Sequence, residues 1–171
     1  MSIDIVAAYG RNGELGKDND LLWKLGEMRK DMANFRKITL GTTVVMGRKT
    51  FNSIGDRALP DRENIVITKK EDFTADGVVV AHSIEEALEL AKPEANVVNV
   101  IGGAAIYAQI LPLAERIFAT EVDADFLEAD VHFPAIDSDA WQKKSEQKFE
   151  SDDDNKYGFS FVEYERIQSD N

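Results

Sequence analysis

The chain has 171 residues, 43% of them hydrophobic, a formal net charge of −12 and no cysteine. That length predicts a single domain over residues 1–171 with mass enough to bury a core, and apolar positions spread along the whole chain exclude a disordered one. The missing cysteines exclude disulfides, thiolate metal sites and thiol catalysis, the distant His82 and His132 do not suggest a zinc site, and the acid excess argues against nucleic acid.

The first strand is expected at residues 3–9 (IDIVAAY). The segment MSIDIVAAYG lacks a basic n-region and a long apolar run, so it does not read as a signal peptide, and no later stretch has the length of a membrane helix. GRNGELGKDNDLLW, residues 10–23, follows as a long, polar, glycine-rich connection of the kind that covers a site. A helix over 27–38 comes next, with Met28, Met32, Phe35 and Ile38 as its apolar stripe. Further strands are expected at 42–46, 64–68, 78–81, 97–101 and 116–122, with helices at 48–54, 84–91 and 104–110 between them. Ser83-Ile84-Glu85-Glu86 has the spacing of a capping box at the start of the third helix. Segments 141–149 and 157–165 flank the acidic SDDDN turn and read as a terminal antiparallel hairpin. Continuous apolar strands alternating with helices predict an α/β sandwich around a mainly parallel sheet, with ligands at the carboxyl ends of the strands.

Two strands end on glycine and pass straight into a helix: VVNVIGGAAIY at 97–107 and TTVVMGRKTF at 42–51. Neither is a P-loop or a G-x-G-x-x-G turn, because Thr42 and Arg48 break the first pattern and GGAAIY breaks the second. Two readings stay open: glycines needed only for close packing, or backbone N–H groups offered to a phosphate from two directions. The charge distribution bears on the second. Residues 1–70 carry 13 Lys/Arg against 9 Asp/Glu, whereas residues 71–171 carry 7 against 23. An anionic ligand would therefore meet Arg48, Lys49, Arg57, Arg62, Lys69 and Lys70.

Asp31 lies three residues after Met28 and four before Phe35, which puts an acid into the apolar stripe. It is either a structural carboxylate satisfied by backbone N–H groups or an arginine, or one that holds a ligand bearing adjacent N–H donors. Glu27, one turn earlier, is the rival.

In chain order the sequence also carries IVAAYGRNGELGKDNDLLW, DMANFRKIT, VVMGRKTFNSIG, LPDRENIVIT, SIEEALELA, VIGGAAIY and DVHFP. Each is modest alone; together and in this order they resemble dihydrofolate reductase along essentially the whole chain. The resemblance implies a three-layer α/β sandwich with a central eight-stranded, mostly parallel sheet ending in a C-terminal antiparallel hairpin. It implies reduction of dihydrofolate to tetrahydrofolate by NADPH, with substrate and cofactor meeting in one cleft. It also implies a cytoplasmic monomer, a target of antifolate inhibitors, with no metal, nucleic acid or membrane partner.

Matched residue by residue, Asp31 takes the place of the acid that holds the pterin, supported by Thr120. Trp23 reaches the substrate through ordered water, and Leu21 sits in the mobile loop over the nicotinamide; these four form the catalytic set. The substrate pocket adds Ile5, Ala8, Met32, Phe35 and Ile101, then Ile54, Leu59 and Arg62, the arginine for the α-carboxylate of the glutamate tail. Cofactor positions begin with Ala8, Leu15, Gly16 and Asn19, then Gly47, Arg48, Lys49 and Thr50 at the phosphates. Thr68, Lys69 and His82 match the adenosine side, and Ile101, the cis-linked pair Gly102-Gly103, Ala104, Ala105, Ile106 and Tyr107 complete the set.

The sequence departs from the family pattern in places. Leu22 replaces a common proline before the tryptophan, and a few additional residues precede the acid. The spacing DMxxF favours Asp31 over Glu27, which has Asp31 and not phenylalanine four residues on. A related reductase of riboflavin biosynthesis, acting on a ribosylated pyrimidine, is the alternative; it would share the glycine turns but not Trp23, Asp31 and Arg62 together. A non-catalytic nucleotide-binding module would have no need of the acid.

Overall fold

A computed structural model describes residues 1–18 and 20–170. The chain runs β1 (Ser2–Tyr9), β2 (Glu14–Lys17), β3 (Asp20–Leu21), a 3-10 turn (Leu25–Glu27), α1 (Arg29–Thr39), β4 (Thr43–Gly47), α2 (Arg48–Ser53), β5 (Glu63–Ile67) and β6 (Val78–Ala81). It continues through α3 (Ile84–Leu90), β7 (Val97–Gly102), α4 (Ala104–Ile110), β8 (Arg116–Val122), β9 (Val131–His132), β10 (Trp141–Phe149) and β11 (Phe159–Arg166). Eight strands form one sheet in the order β10-β11-β8-β1-β7-β4-β5-β6. From β8 to β6 every pairing is parallel, and β11 joins antiparallel to both β8 and β10, as the sequence led us to expect.

Alternation along the central strands builds a core on each face. Val45 of β4, Ile65 of β5 and Val98 and Val100 of β7 pack with Ile84 and Ala87 of α3 and Ile106, Tyr107 and Ile110 of α4. Their neighbours Val44, Met46 and Val66 turn the other way and pack on Phe51 of α2. Burying a side chain of that size contributes roughly 1.5–3 kcal/mol. On β8, Ile117 and Ala119 share the α3/α4 face, so Thr120 points to the opposite face, where α1 lies.

The predicted helix 27–38 is two pieces. Leu25–Glu27 form the 3-10 turn, Met28 breaks the path at φ −136° and ψ 67°, and α1 starts at Arg29. Met28 is consequently not part of the α1 stripe; it is buried with Val122, Phe126 and Phe159. The expected capping box is half formed. Ser83 Oγ accepts from the Glu86 N–H at 3.0 Å, but Glu86 Oε2 accepts from the His82 N–H at 2.7 Å, one residue earlier than the pattern requires.

The 10–23 connection is not a plain loop. β2 pairs antiparallel with β3 and with β9, forming a second, three-stranded sheet. The fully buried Glu14 side chain ties it down: its carboxylate accepts from the Phe126 N–H at 2.7 Å and also from the Asn12 N–H. Burial alone would push the Glu14 carboxyl up, but these backbone donors outweigh it and hold the group below the usual carboxylate range. Arg11 adds contacts to Asp123 at 2.7 Å and Asp125 at 2.8 Å. Glu14→Ala strands the buried Phe126 donor and is expected to cost about 1–3 kcal/mol, read as a lower urea midpoint at unchanged slope. An unshifted midpoint contradicts this clasp.

Candidate functional site

A cleft of about 1240 Å³ opens at the carboxyl ends of the parallel strands, between α1 on one side and the two glycine turns on the other. Its walls include every predicted site residue but two: Ile5 does not border it, and Asn19 falls outside the described residues.

Ile5 is a correction. Residues 5, 7 and 9 of β1 face the α3/α4 core, so Ile5 is fully buried there, while Val6 and Ala8 share the cleft face. The Tyr107 hydroxyl donates to the Val6 carbonyl at 2.8 Å, which fixes this strand end against α4. Burial, then the nearby Asp31 carboxylate, push the Tyr107 phenol well up and keep it neutral. Arg57 does not border the cleft either; it stands exposed beyond α2.

Asp31 sits in the first turn of α1 and faces the cleft. The Thr120 hydroxyl donates to Asp31 Oδ1 at 2.6 Å, and no basic side chain pairs with this acid among the described residues. Burial pushes the carboxyl up, with the Thr120 hydrogen bond opposing. Glu27 faces elsewhere: it accepts from the Lys24 N–H at 2.9 Å and meets Lys156 at 3.4 Å. The backbone N–H of Lys24, then Lys156, hold its carboxyl low. Of the two rivals, only Asp31 borders the cleft. The α1 stripe lines this cleft in place of a closed core, and Met32 is 41% exposed in consequence. Trp23 closes one wall, tilted against Phe126 and edge-on to Tyr157.

At the far end, Arg62 is held by neutral acceptors. Its Nη1 donates to Thr39 Oγ1 at 2.9 Å and its Nε to the Pro60 carbonyl at 2.8 Å. Burial and the charge of Arg36 both lower its pKa, so two guanidinium groups stand together in this wall.

The two glycine turns meet face to face. A Cβ built on Gly47 would lie 3.9 Å from both Gly102 O and Gly103 N. Gly102 has φ +130°, the Gly102–Gly103 peptide is cis, and a Cβ on either residue would press on Thr50 Oγ1 at 3.2–3.3 Å. The positive φ favours glycine at Gly102, whereas a Cβ on Gly47 would meet only ordinary contacts. Arg48, Lys49, Lys69 and Lys70 border the same half of the cleft, with no acid paired to any of them among the described residues. His82 joins them, its Nδ1 2.8 Å from the Thr68 carbonyl.

Several lining residues escaped the sequence reading. Val6 and Phe118 follow by period two from Ala8 and Thr120, and Arg36 lies one turn beyond Met32, so each had a signal. Leu25, in the 3-10 turn, had none.

A family model described as dihydrofolate reductase matches residues 2–166. The chain belongs to the dihydrofolate reductase family. It is 40% identical to the dihydrofolate reductase of Bacillus subtilis over 168 residues, covering 98% of this chain and 96% of that one. It is 41% identical to dihydrofolate reductase type 3 of Salmonella typhimurium, covering 97% and 99%. Its structure is similar to that of Enterococcus faecalis dihydrofolate reductase complexed with NADP(H) and RAB-propyl, with a TM-score of 0.89 and 32% identity over 98% and 97% of the two chains. The residues ahead of Asp31 form the 3-10 turn Leu25–Glu27, anchored by Glu27 to Lys24 and Lys156. They leave Asp31 facing Thr120.

Proposed function

We propose that the 1–171 chain, as one dihydrofolate reductase domain, reduces 7,8-dihydrofolate to 5,6,7,8-tetrahydrofolate and supplies one-carbon metabolism. The observation that carries this is a half-buried acid, with no basic partner among the described residues, facing the cleft that the two glycine turns border. A carboxylate with Thr120 on one oxygen offers its remaining lone pairs to adjacent N–H donors, as on the amino-pyrimidine edge of a pterin. Met32, Phe35 and Ile101 give that ring apolar walls, with Val6 taking the place assigned to Ile5. Ile54 and Leu59 cover the aminobenzoyl part, and Arg62 binds the glutamate α-carboxylate.

The residues fit NADPH. The paired glycine turns make room for backbone approach, and Arg48, Lys49, Thr50, Thr68, Lys69 and His82 supply charge and hydrogen bonds for phosphates. Leu15, Gly16, Leu21 and Ala104 through Tyr107 complete the walls on the cofactor side. When bound, NADPH supplies a hydride to pterin C6. Asp31 orients the ring and Trp23 and Leu21 exclude bulk water, and the proton that balances the hydride reaches N5 from water. Antifolate inhibitors that present the same N–H edge are expected to use Asp31. Among the described residues no helix is long and apolar enough to cross a membrane. On the family resemblance alone, we read the protein as a cytoplasmic monomer.

The test follows NADPH absorbance with dihydrofolate or with a ribosylated aminopyrimidine as acceptor. Oxidation with dihydrofolate alone is expected. Oxidation with the pyrimidine alone contradicts the reading.

A further inference from the structure

The first turn of α1 is held from the other end of the sequence. Met28, at the start of α1, offers no side-chain cap. Instead, the Asn155 Oδ1 accepts from the Lys30 N–H at 3.0 Å, across 125 positions of sequence. The Arg29 N–H donates to the Asp154 carbonyl at 3.2 Å, and the Lys156 N–H to the Glu27 carbonyl at 2.8 Å. Asn155 is 3% exposed, and its Nδ2 donates to Asp152 Oδ1 at 2.9 Å, which fixes the amide in the turn between β10 and β11. Phe149 of that hairpin lies 4.1 Å under the Lys30 ammonium. Asp31 follows Lys30 directly, so the turn that carries the acid takes its orphan N–H groups' partners from the C-terminal hairpin.

On the reading of Asp31 proposed above, we infer that Asn155 is a positioning residue for the reaction: it caps α1 through Lys30 and thereby sets where the Asp31 carboxylate meets the substrate. The residues assigned above to the cofactor lie on α2, α4, the strand ends and, for Leu15, Gly16 and Leu21, the second sheet, and among the described residues the Asn155 side chain hydrogen-bonds none of them.

The test compares wild type, Asn155→Ala and Asn155→Asp. Aspartate keeps an oxygen for the Lys30 N–H but turns the donor to Asp152 into a carboxylate oxygen facing a carboxylate, so it weakens the turn by repulsion while retaining the cap. Asn155→Ala is expected to lose about tenfold in kcat/KM for dihydrofolate, with KM for NADPH within about twofold of wild type. Hydrogen exchange at the Lys30 amide should speed up in this variant. Asn155→Asp should return to within about threefold of wild type, with the Lys30 amide protected, despite a lower Tm. An Asn155→Ala enzyme that matches wild type on dihydrofolate overturns the inference. So do two variants that lose activity on both substrates in step with Tm. If Asn155→Ala does not fold, Asn155→Asp decides: a protected Lys30 amide with a tenfold loss on dihydrofolate, by about the margin set above, contradicts positioning. Wild-type protein that leaves NADPH unoxidised by dihydrofolate overturns the functional reading itself, which is a separate outcome.

Discussion

Asp31→Asn is expected to lower kcat/KM for dihydrofolate by about a hundredfold or more while leaving the NADPH Kd within about twofold. Asparagine keeps an oxygen for the Thr120 hydroxyl, so the local packing survives. What it lacks is a second acceptor and the charge, and its amide N–H groups face the substrate's donors. The Glu27 carboxylate meets Lys24 and Lys156 and does not border the cleft, so Glu27→Gln is expected to turn over like wild type. A dead Glu27→Gln beside an active Asp31→Asn would move the acid by one helical turn. The same substitution has a stability signature. Burial raises the Asp31 carboxyl in the folded protein, against the opposing Thr120 bond. A carboxyl raised in the folded state costs stability above that folded pKa, where it must ionise in a poor site. Asp31→Asn should therefore raise Tm at neutral pH, by about 2 °C or more. That gain should shrink as pH falls through the raised folded pKa and vanish below the unfolded value near ~3.9. A Tm difference independent of pH contradicts the burial argument.

Arg62→Leu is expected to raise KM for dihydrofolate by about thirtyfold or more, with a much smaller change in kcat. Among the described residues the guanidinium hydrogen-bonds only neutral oxygens, Thr39 Oγ1 and the Pro60 carbonyl, and these point it into the wall without neutralising it. Its charge is thus available to a carboxylate, and leucine keeps part of the apolar stem but neither the charge nor the fork geometry. Because the contact is remote from the pterin, most of the loss belongs in binding. The control is a substrate fragment lacking the glutamate tail: wild type and Arg62→Leu should handle it alike. A variant equally impaired on the fragment would place Arg62 in the packing of α1 through Thr39, and not at the substrate tail.

The glycine turns were the most legible part of the site, because a strand that ends on glycine and enters a helix at once has few physical explanations. Gly47 and Gly102-Gly103 do lie against each other, at the predicted strand ends. Asp31 was legible through half of its argument. Its spacing to Phe35 holds within α1, whereas Met28 belongs to a different cluster across a break in the helix. Ile5 shows a rule misapplied: its side chain lies on the face opposite Ala8 and is fully buried, whereas Ala7, nearer the strand's carboxyl end, still borders the cleft beside Ala8. The second sheet was out of reach, since β3 and β9 are two residues each and carry no periodicity. Its stability comes from contacts such as Glu14 to the Phe126 N–H, which join residues 112 positions apart. The Asn155 cap is hidden for the same reason: local pattern reports the need for a cap but not a distant residue that supplies it.

The most direct test of the account uses NADPH carrying deuterium on the transferable face of its nicotinamide, with dihydrofolate as acceptor. The account predicts one equivalent of NADPH consumed per tetrahydrofolate formed, with the deuterium at C6 of the pterin. Deuterium appearing in solvent, or NADPH bound and never consumed, would contradict it.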